Sequence, residues 1–371
     1  MNKIKRIKKI TALFLALTAF TSNAKVDIKV TELAKGLERP WAVAYLGQDS
    51  LLVTERNGQL RWYNKGKLSA PIEGLPKVYN AGQGGMLDVK PHPNFASNSL
   101  VYFTYAKGTS DKNATYLARA KFEDGKLSNI EELFTASPEK ENAYHYSGRI
   151  EFLPDGTLIF AVGDGYFYKD KAQELDNHFG KTIRLNDDGS VPKDNPYVGN
   201  ASAKNEIYSY GHRNPQGMFY DKQRNLLFSN EHGPKGGDEI NIIKPAVNYG
   251  WPAITYGVDY SGEIISDLTH KEGMEQPLLQ WTPSIAPSSI MVYYGEEFPE
   301  FNGHILTTTL KYKELRLVKL SKGNEKVGVS GQETYLKDEQ GRLRDIDIGI
   351  DGVLYLVTDG GLLLQLSKEN R

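Results

Sequence analysis

Six copies of one hairpin pattern, a turn-rich composition and a repeat of about fifty residues predict an all-β chain, a six-bladed β-propeller of four-stranded antiparallel blades. Of 371 residues, 39% are apolar, 36 are glycine, 22 are tyrosine and only 5 are methionine. Many short strands between glycine-rich turns suit that composition better than helices do.

The repeated unit is an alternating strand, a turn, then an apolar strand that ends in small or polar residues. "WAVAYLGQDSLLVTE" is the first instance, "LDVKPHPNFASNSLVYFTYA" the second and "GRIEFLPDGTLIFAVGD" the third. "PQGMFYDKQRNLLFSNE", "SSIMVYYGEEFPEFNGHILTTTL" and "RDIDIGIDGVLYLVTDG" complete the set. Their second strands begin near Leu52, Leu100, Leu158, Leu226, Ile305 and Leu354. Each unit has period-two alternation and a turn rich in Asp, Gly or Asn. A sandwich would also use hairpins, but nothing in it calls for the same hairpin six times. The wider spacing in mid-chain implies insertions, with "YFYKDKAQELDNHFGKT" and "NPYVGNASAKNE" as the candidate.

Residues 1–24 stand apart. "MNKIKRIKKI" is basic, "TALFLALTAF" is apolar and "TSNA" ends in a small-x-small pattern, which together read as a secretory signal cleaved after Ala24. The apolar run is about half the ~20 residues that a membrane span needs. The expectation is a periplasmic protein whose residues 25–371 form one catalytic propeller with no membrane span. Cleavage would remove five cations and no acid, taking the formal charge from −1 to −6. Neither value invites nucleic acid. The chain has no cysteine, so thiol chemistry and Cys-ligated zinc are excluded and the fold relies on its core and on any bound metal.

In a propeller the first strand of each blade lines the central channel, and all six start at one face. Residues just before each repeat should therefore converge: Gln83, His145 with Arg149, Arg213 with Asn214, Ser284, and Arg342 with Arg344. Several arginines, a histidine and an amide suit a ligand with multiple carboxylates or carbonyls. His145 is placed as a general base, since neutral imidazole serves that role near neutral pH. Arg213, with its planar fork of donors, suits polarising a carbonyl. Arg342 and Arg344 alternate, so both should face one way and repel unless an anion bridges them.

The stretch "EHGPKGGDEINIIKPAVNYGWP" combines tight backbone specification with oxygen donors. Asp238 and Glu239 are hard ligands, and Gly233, Pro234 and Tyr249 offer carbonyls. That pattern is Ca²⁺ chemistry rather than zinc or copper chemistry, although both acids could instead cap turns.

With these residues in view, "LLVTERNGQLR", "GQGGMLDVKPHPNF", "GKTIRLNDDGSVPKDNP", "YGHRNPQG" and the loop above resemble the soluble aldose sugar dehydrogenases that use pyrroloquinoline quinone (PQQ). The resemblance covers nearly all of residues 25–371, in order. It implies PQQ on the propeller axis, calcium between cofactor and protein, and oxidation of an aldose at its anomeric carbon with electrons passed to an external acceptor. By the same resemblance His145 takes the hydroxyl proton and Arg213 stabilises developing negative charge beside Asn214. Gln83, Tyr260, Lys311, Arg342 and Arg344 bind PQQ, whose three carboxylates account for the cations. Gly233 and Pro234 give carbonyls to the cofactor calcium, while Glu239 and Tyr249, with Asp238, hold a second calcium. A monomer or weak dimer is expected.

Two positions depart from the pattern. Tyr144 stands where glucose-oxidising relatives carry an acid, and Thr282 where some carry an aromatic over the quinone, with Trp281 one place earlier. Both fall near the sugar, so the class of activity carries over and the choice of sugar does not. Two other functions compete: a calcium-dependent, lactonase-like hydrolase and a non-catalytic propeller that binds glycan or protein. The first needs a dense ring of acids around one metal. The second leaves Arg213, Lys311, Arg342 and Arg344 converging with no anion.

Overall fold

The computed structural model describes residues 26–321 and 327–369. The expected signal segment, residues 1–24, lies outside them. Six antiparallel sheets of four strands follow one another around an axis, so the blade count is as the repeats predict. The second strands are Ser50–Glu55, Leu100–Gly108, Leu158–Val162, Leu226–Glu231, Ile305–Thr309 and Leu354–Thr358, each at its expected position. The first strands, Pro40–Gly47, Met86–Pro91, Ser147–Phe152, Pro215–Asp221, Pro287–Val292 and Leu343–Ile348, pack on one another in sequence and close into a ring.

Ring closure uses both ends of the described chain. Ile28–Lys35 pairs antiparallel with Leu362–Lys368 and becomes the outermost strand of the sixth blade. The repeats gave no hint of this pairing, because Ile28–Lys35 precedes the first hairpin and its two faces are only half-buried.

Six apolar clusters hold the ring, one between each pair of neighbouring blades. Between blades two and three, for example, Leu117, Leu158, Phe160, Ile183 and Ile207 are fully buried together. Each such side chain contributes about 1.5–3 kcal/mol on burial. The insertion in blade three is present: a short 3-10 helix, Lys169–Gln173, lies between the second and third strands. A second insertion, residues 244–278, separates the last two strands of blade four and carries Tyr249, Trp251 and Tyr260.

One irregularity recurs. The first strand of every blade shifts register against the second near its start, between Pro40 and Ala42, Met86 and Val89, Ser147 and Ile150, Pro215 and Gly217, Pro287 and Ser289, and Leu343 and Asp345. Each shift marks a bulge or local irregularity at the same rim of the channel. Bulges bend a strand and re-aim a side chain while leaving the ladder beyond intact.

Candidate active site

At that rim the six blades enclose a cavity of about 360 Å³. Gln83, Asn214, Arg342 and Arg344 line it, as expected, together with Arg39, Arg56, His232 and Asp359. His145 lies at its edge, flanked by the lining residues Tyr146 and Ser147, and its N–H donates to Gln83 Oε1 at 2.8 Å. His145 and Ser147 both have left-handed backbone, φ 49° and 56°. Non-glycine residues in that region carry strain and cluster at functional sites. The turn also needs Gly163 behind it, since a Cβ there would sit 2.3 Å from the His145 carbonyl oxygen.

His145, the expected base, has a partner that the sequence reading missed. His145 Nδ1 lies 2.7 Å from Asp164 Oδ1, so the Nδ1 proton is donated to the carboxylate and Nε2 keeps its lone pair. Asp164 also accepts the Tyr166 amide at 2.8 Å and Trp251 Nε1 at 2.7 Å. Burial opposes its charge, but His145, Arg213 and the Tyr166 amide outweigh burial and hold the carboxyl below its ordinary range. Burial lowers the His145 pKa, and Arg213 and Lys140 add to this while Asp164 opposes it. Buried at the cavity's edge, His145 has the lowered proton affinity and the fixed tautomer that a general base needs.

Arg213 is buried beside it. Nη1 donates to the carbonyls of His232 and Gly233 at 2.9 and 2.8 Å, and the guanidinium stacks 5.3 Å from the Trp251 ring. Tyr260, exposed, stands 6.0 Å from the same guanidinium. Lys311 is also exposed and follows Leu310, a lining residue. The bridging anion between Arg342 and Arg344 is protein: Asp359 accepts from both at 2.8 Å. Four guanidiniums still face one carboxylate. Burial, then Arg344 and Arg39, pull the Arg56 pKa down, and burial with Arg213 and Arg344 pushes His232 down to about 3.

Two expectations move. Arg149 is not at the mouth but below it, paired with Asp88 at 3.1 Å and Asp345 at 3.0 Å on the axis. Ser284 is drawn into the neighbouring loop, accepting the Gly236 amide and donating to the Pro234 carbonyl. Trp281 packs in the cluster between blades four and five, so this stretch brings no aromatic over the site. Aromatics stand near His145 instead: Tyr144 and Phe167, both exposed, and half-buried Tyr166, edge-on to the His145 ring at 5.0 Å.

The oxygen-rich loop divides its labour. Asp238 accepts the amides of Gly233, Ile285 and Ala286 at 2.9, 2.7 and 2.7 Å, which makes it the staple of the loop. Glu239 lies beside Glu231, and Asn241 Nδ2 donates to both, at 3.0 and 3.1 Å. Burial first and Glu231 second push Glu239 up to about 8. Asn241 Oδ1 is buried without a partner. Two crowded carboxylates and an orphaned oxygen fit a cation. The Tyr249 hydroxyl is committed to Ile242 and Lys244, so its carbonyl is what it can offer. No three His, Asp or Glu side chains converge as a metal cluster among the described residues, so ions here would depend on carbonyls as much as carboxylates.

Residues 37–365 match the glucose/sorbosone dehydrogenase family model. The chain belongs to that family. Its relatives include the aldose sugar dehydrogenase YliI of Escherichia coli, 38% identical over 94% of this chain and 95% of the relative. The soluble aldose sugar dehydrogenase of E. coli, solved in its apo form, superposes with TM-score 0.87 at 37% identity over 92% of this chain and all of the other. A PQQ-bound aldose sugar dehydrogenase from Streptomyces coelicolor superposes with TM-score 0.76 at 28% identity, covering 93% of this chain and 99% of its own. As a member of the glucose/sorbosone dehydrogenases the chain is an oxidoreductase, an aldose sugar dehydrogenase of the PQQ-type propeller class.

The sequence does carry a signal for the acids it hid. In four blades the second strand runs into an acid, at Glu55, Asp164, Glu231 and Asp359. Each turns back on its own blade: Glu55 and Glu231 accept the amides of Glu38 and Arg213, Asp164 holds His145 and Asp359 holds the arginine pair.

Proposed function

We propose that this chain, exported to the periplasm, oxidises the C1 hydroxyl of an aldose to the lactone with resident PQQ and Ca²⁺, and passes the electrons to an external acceptor. The observation that carries the reading is the His145–Asp164 pair set at the edge of a cavity with four guanidiniums and one carboxylate. An excess of fixed cations in a concave site favours a ligand with several carboxylates. Arg342, Arg344, Gln83 and Asn214 would hold PQQ from the lining, with Lys311 and Tyr260 at the edge. When bound, PQQ supplies the two-electron acceptor.

The chain's own part follows from geometry. His145 Nε2 takes the proton of the C1 hydroxyl, and Asp164 keeps the ring in the required tautomer and stabilises the imidazolium that forms. Arg213, fixed by Trp251 and two carbonyls, keeps a positive charge beside the base where negative charge develops. Tyr144, Tyr166 and Phe167 offer apolar ring faces to a sugar. Gly233 and Pro234 would give carbonyls to the cofactor calcium, and Glu239 and Tyr249 a second ion, with Asp238 holding the loop.

The test is titration of apo-protein with PQQ and Ca²⁺, then addition of an aldose and a dye acceptor. A stoichiometric spectral change followed by sugar-dependent bleaching is expected. Absence of PQQ binding with calcium present would sink the reading and turn attention to lactones.

A further inference from the structure

Lys140 is buried, yet no part of the reaction above uses it. Its backbone is tied to Asn113 by two hydrogen bonds, at 3.0 and 2.8 Å, so its stem starts from a fixed point. From there the ammonium reaches both residues that flank the base. Nζ donates to the carbonyl of Tyr144 and lies 3.6 Å from the ring centre of Tyr146. The acid facing Lys140 is Asp164, itself committed to His145, Tyr166 and Trp251. Arg213 also faces the base, as do two titratable groups, His232 and the edge-on ring of Tyr166. The Tyr146 hydroxyl donates to Asn113 at 2.6 Å, which closes a circuit around the turn.

We infer that Lys140 is a positioning residue for the base: one ammonium clamps the carbonyl before His145 and the ring after it, and so holds the left-handed turn that presents Nε2 to the cavity. The physical need is plain. A non-glycine residue at φ 49° does not stay there unaided. Gln83 secures only its N–H. A buried ammonium over an aromatic face is a strong local restraint, because the cation is desolvated. Burial pushes Lys140 down to about 7, so below that pH its charge also helps keep the imidazole unprotonated, the state in which a base works.

This inference rests on His145 being the base, so its test has an arm that needs no turnover. In the metal-free, cofactor-free protein, the His145 ring is followed by NMR against pH in wild type, Lys140→Met and Lys140→Arg. Loss of the cation should make His145 titrate at higher pH in Lys140→Met, with Lys140→Arg restored towards wild type. In the PQQ- and calcium-loaded enzyme, Lys140→Met should lower kcat about tenfold, while KM and PQQ affinity stay within about twofold. If Lys140→Met does not fold, Lys140→Gln, which keeps a donor for the Tyr144 carbonyl but no charge, is read the same way. An unchanged His145 titration with unchanged kcat overturns the inference. So does a fall in melting temperature alone, which would make Lys140 merely structural. A wild-type protein that oxidises no sugar refutes the proposed function instead, and the NMR arm still decides the role of Lys140.

Discussion

The two ends of the central channel are built from the same six strands and treat charge in opposite ways. Deep on the axis, Lys90 and Arg149 meet Asp88, Asp345, Asp347 and Glu151: Arg149 bridges two acids, and Lys90 pairs with Glu151 at 2.9 Å. At the rim, Asp359 pairs with Arg342 and Arg344, while Arg39 and Arg56 line the same cavity with no ion pair to it. The deep end sets two cations against four acids, and burial pushes two of those acids, Asp88 and Asp347, up towards protonation. The rim keeps positive charge that the chain does not cancel, which is how a fold sets aside a place for an anionic guest.

That contrast predicts where each variant should hurt. Arg149→Met removes the bridge from two buried acids and should cost about 3–5 kcal/mol in denaturant unfolding, since uncompensated buried charge is expensive. If stability barely changed, the ion pairs of the deep end would not be what holds it together. His145→Ala at the rim should lower kcat by about 10²–10⁴-fold, the span of general-base catalysis, with an unaltered melt. Lost PQQ binding instead would recast His145 as structural. Arg342→Gln should weaken PQQ about tenfold by calorimetry and leave stability within about 1 kcal/mol, because its partner Asp359 keeps Arg344. An equal loss of stability and affinity would erase the distinction between the two ends. The mildest signature is in pH. Burial leads the lowering of the His145 pKa, so the lowered proton affinity should keep kcat level through the ordinary imidazole range, near 6.5, with a fall only below it. A fall at 6.5 would mean that the base is solvated.

The blades were legible because their pattern is local: alternation and a turn, each read within about twenty residues. The site was legible in part. Gln83, Asn214, Arg342 and Arg344 line the cavity and His145 lies at its edge, since strand starts sharing a face follow from topology. Arg149 was misplaced because a register shift at each strand start alters which side chains rise to the rim and which sink below it. Asp164 and Asp359 escaped notice because their partners lie 19 and 15 residues away, a pairing that only the folded blade makes. The hold of Asp238 on its loop was hidden too, since the three amides that converge on it come from two segments.

The pairing of Ile28–Lys35 with Leu362–Lys368 also sets an order of events. The first described strand has no partner until the last described one leaves the ribosome, so five sheets can condense while the ring stays open. The final clasp waits for the whole chain. An interruption that removed only Leu362–Lys368 would leave five blades complete, the sixth without its outer half, and an early strand with nothing to join.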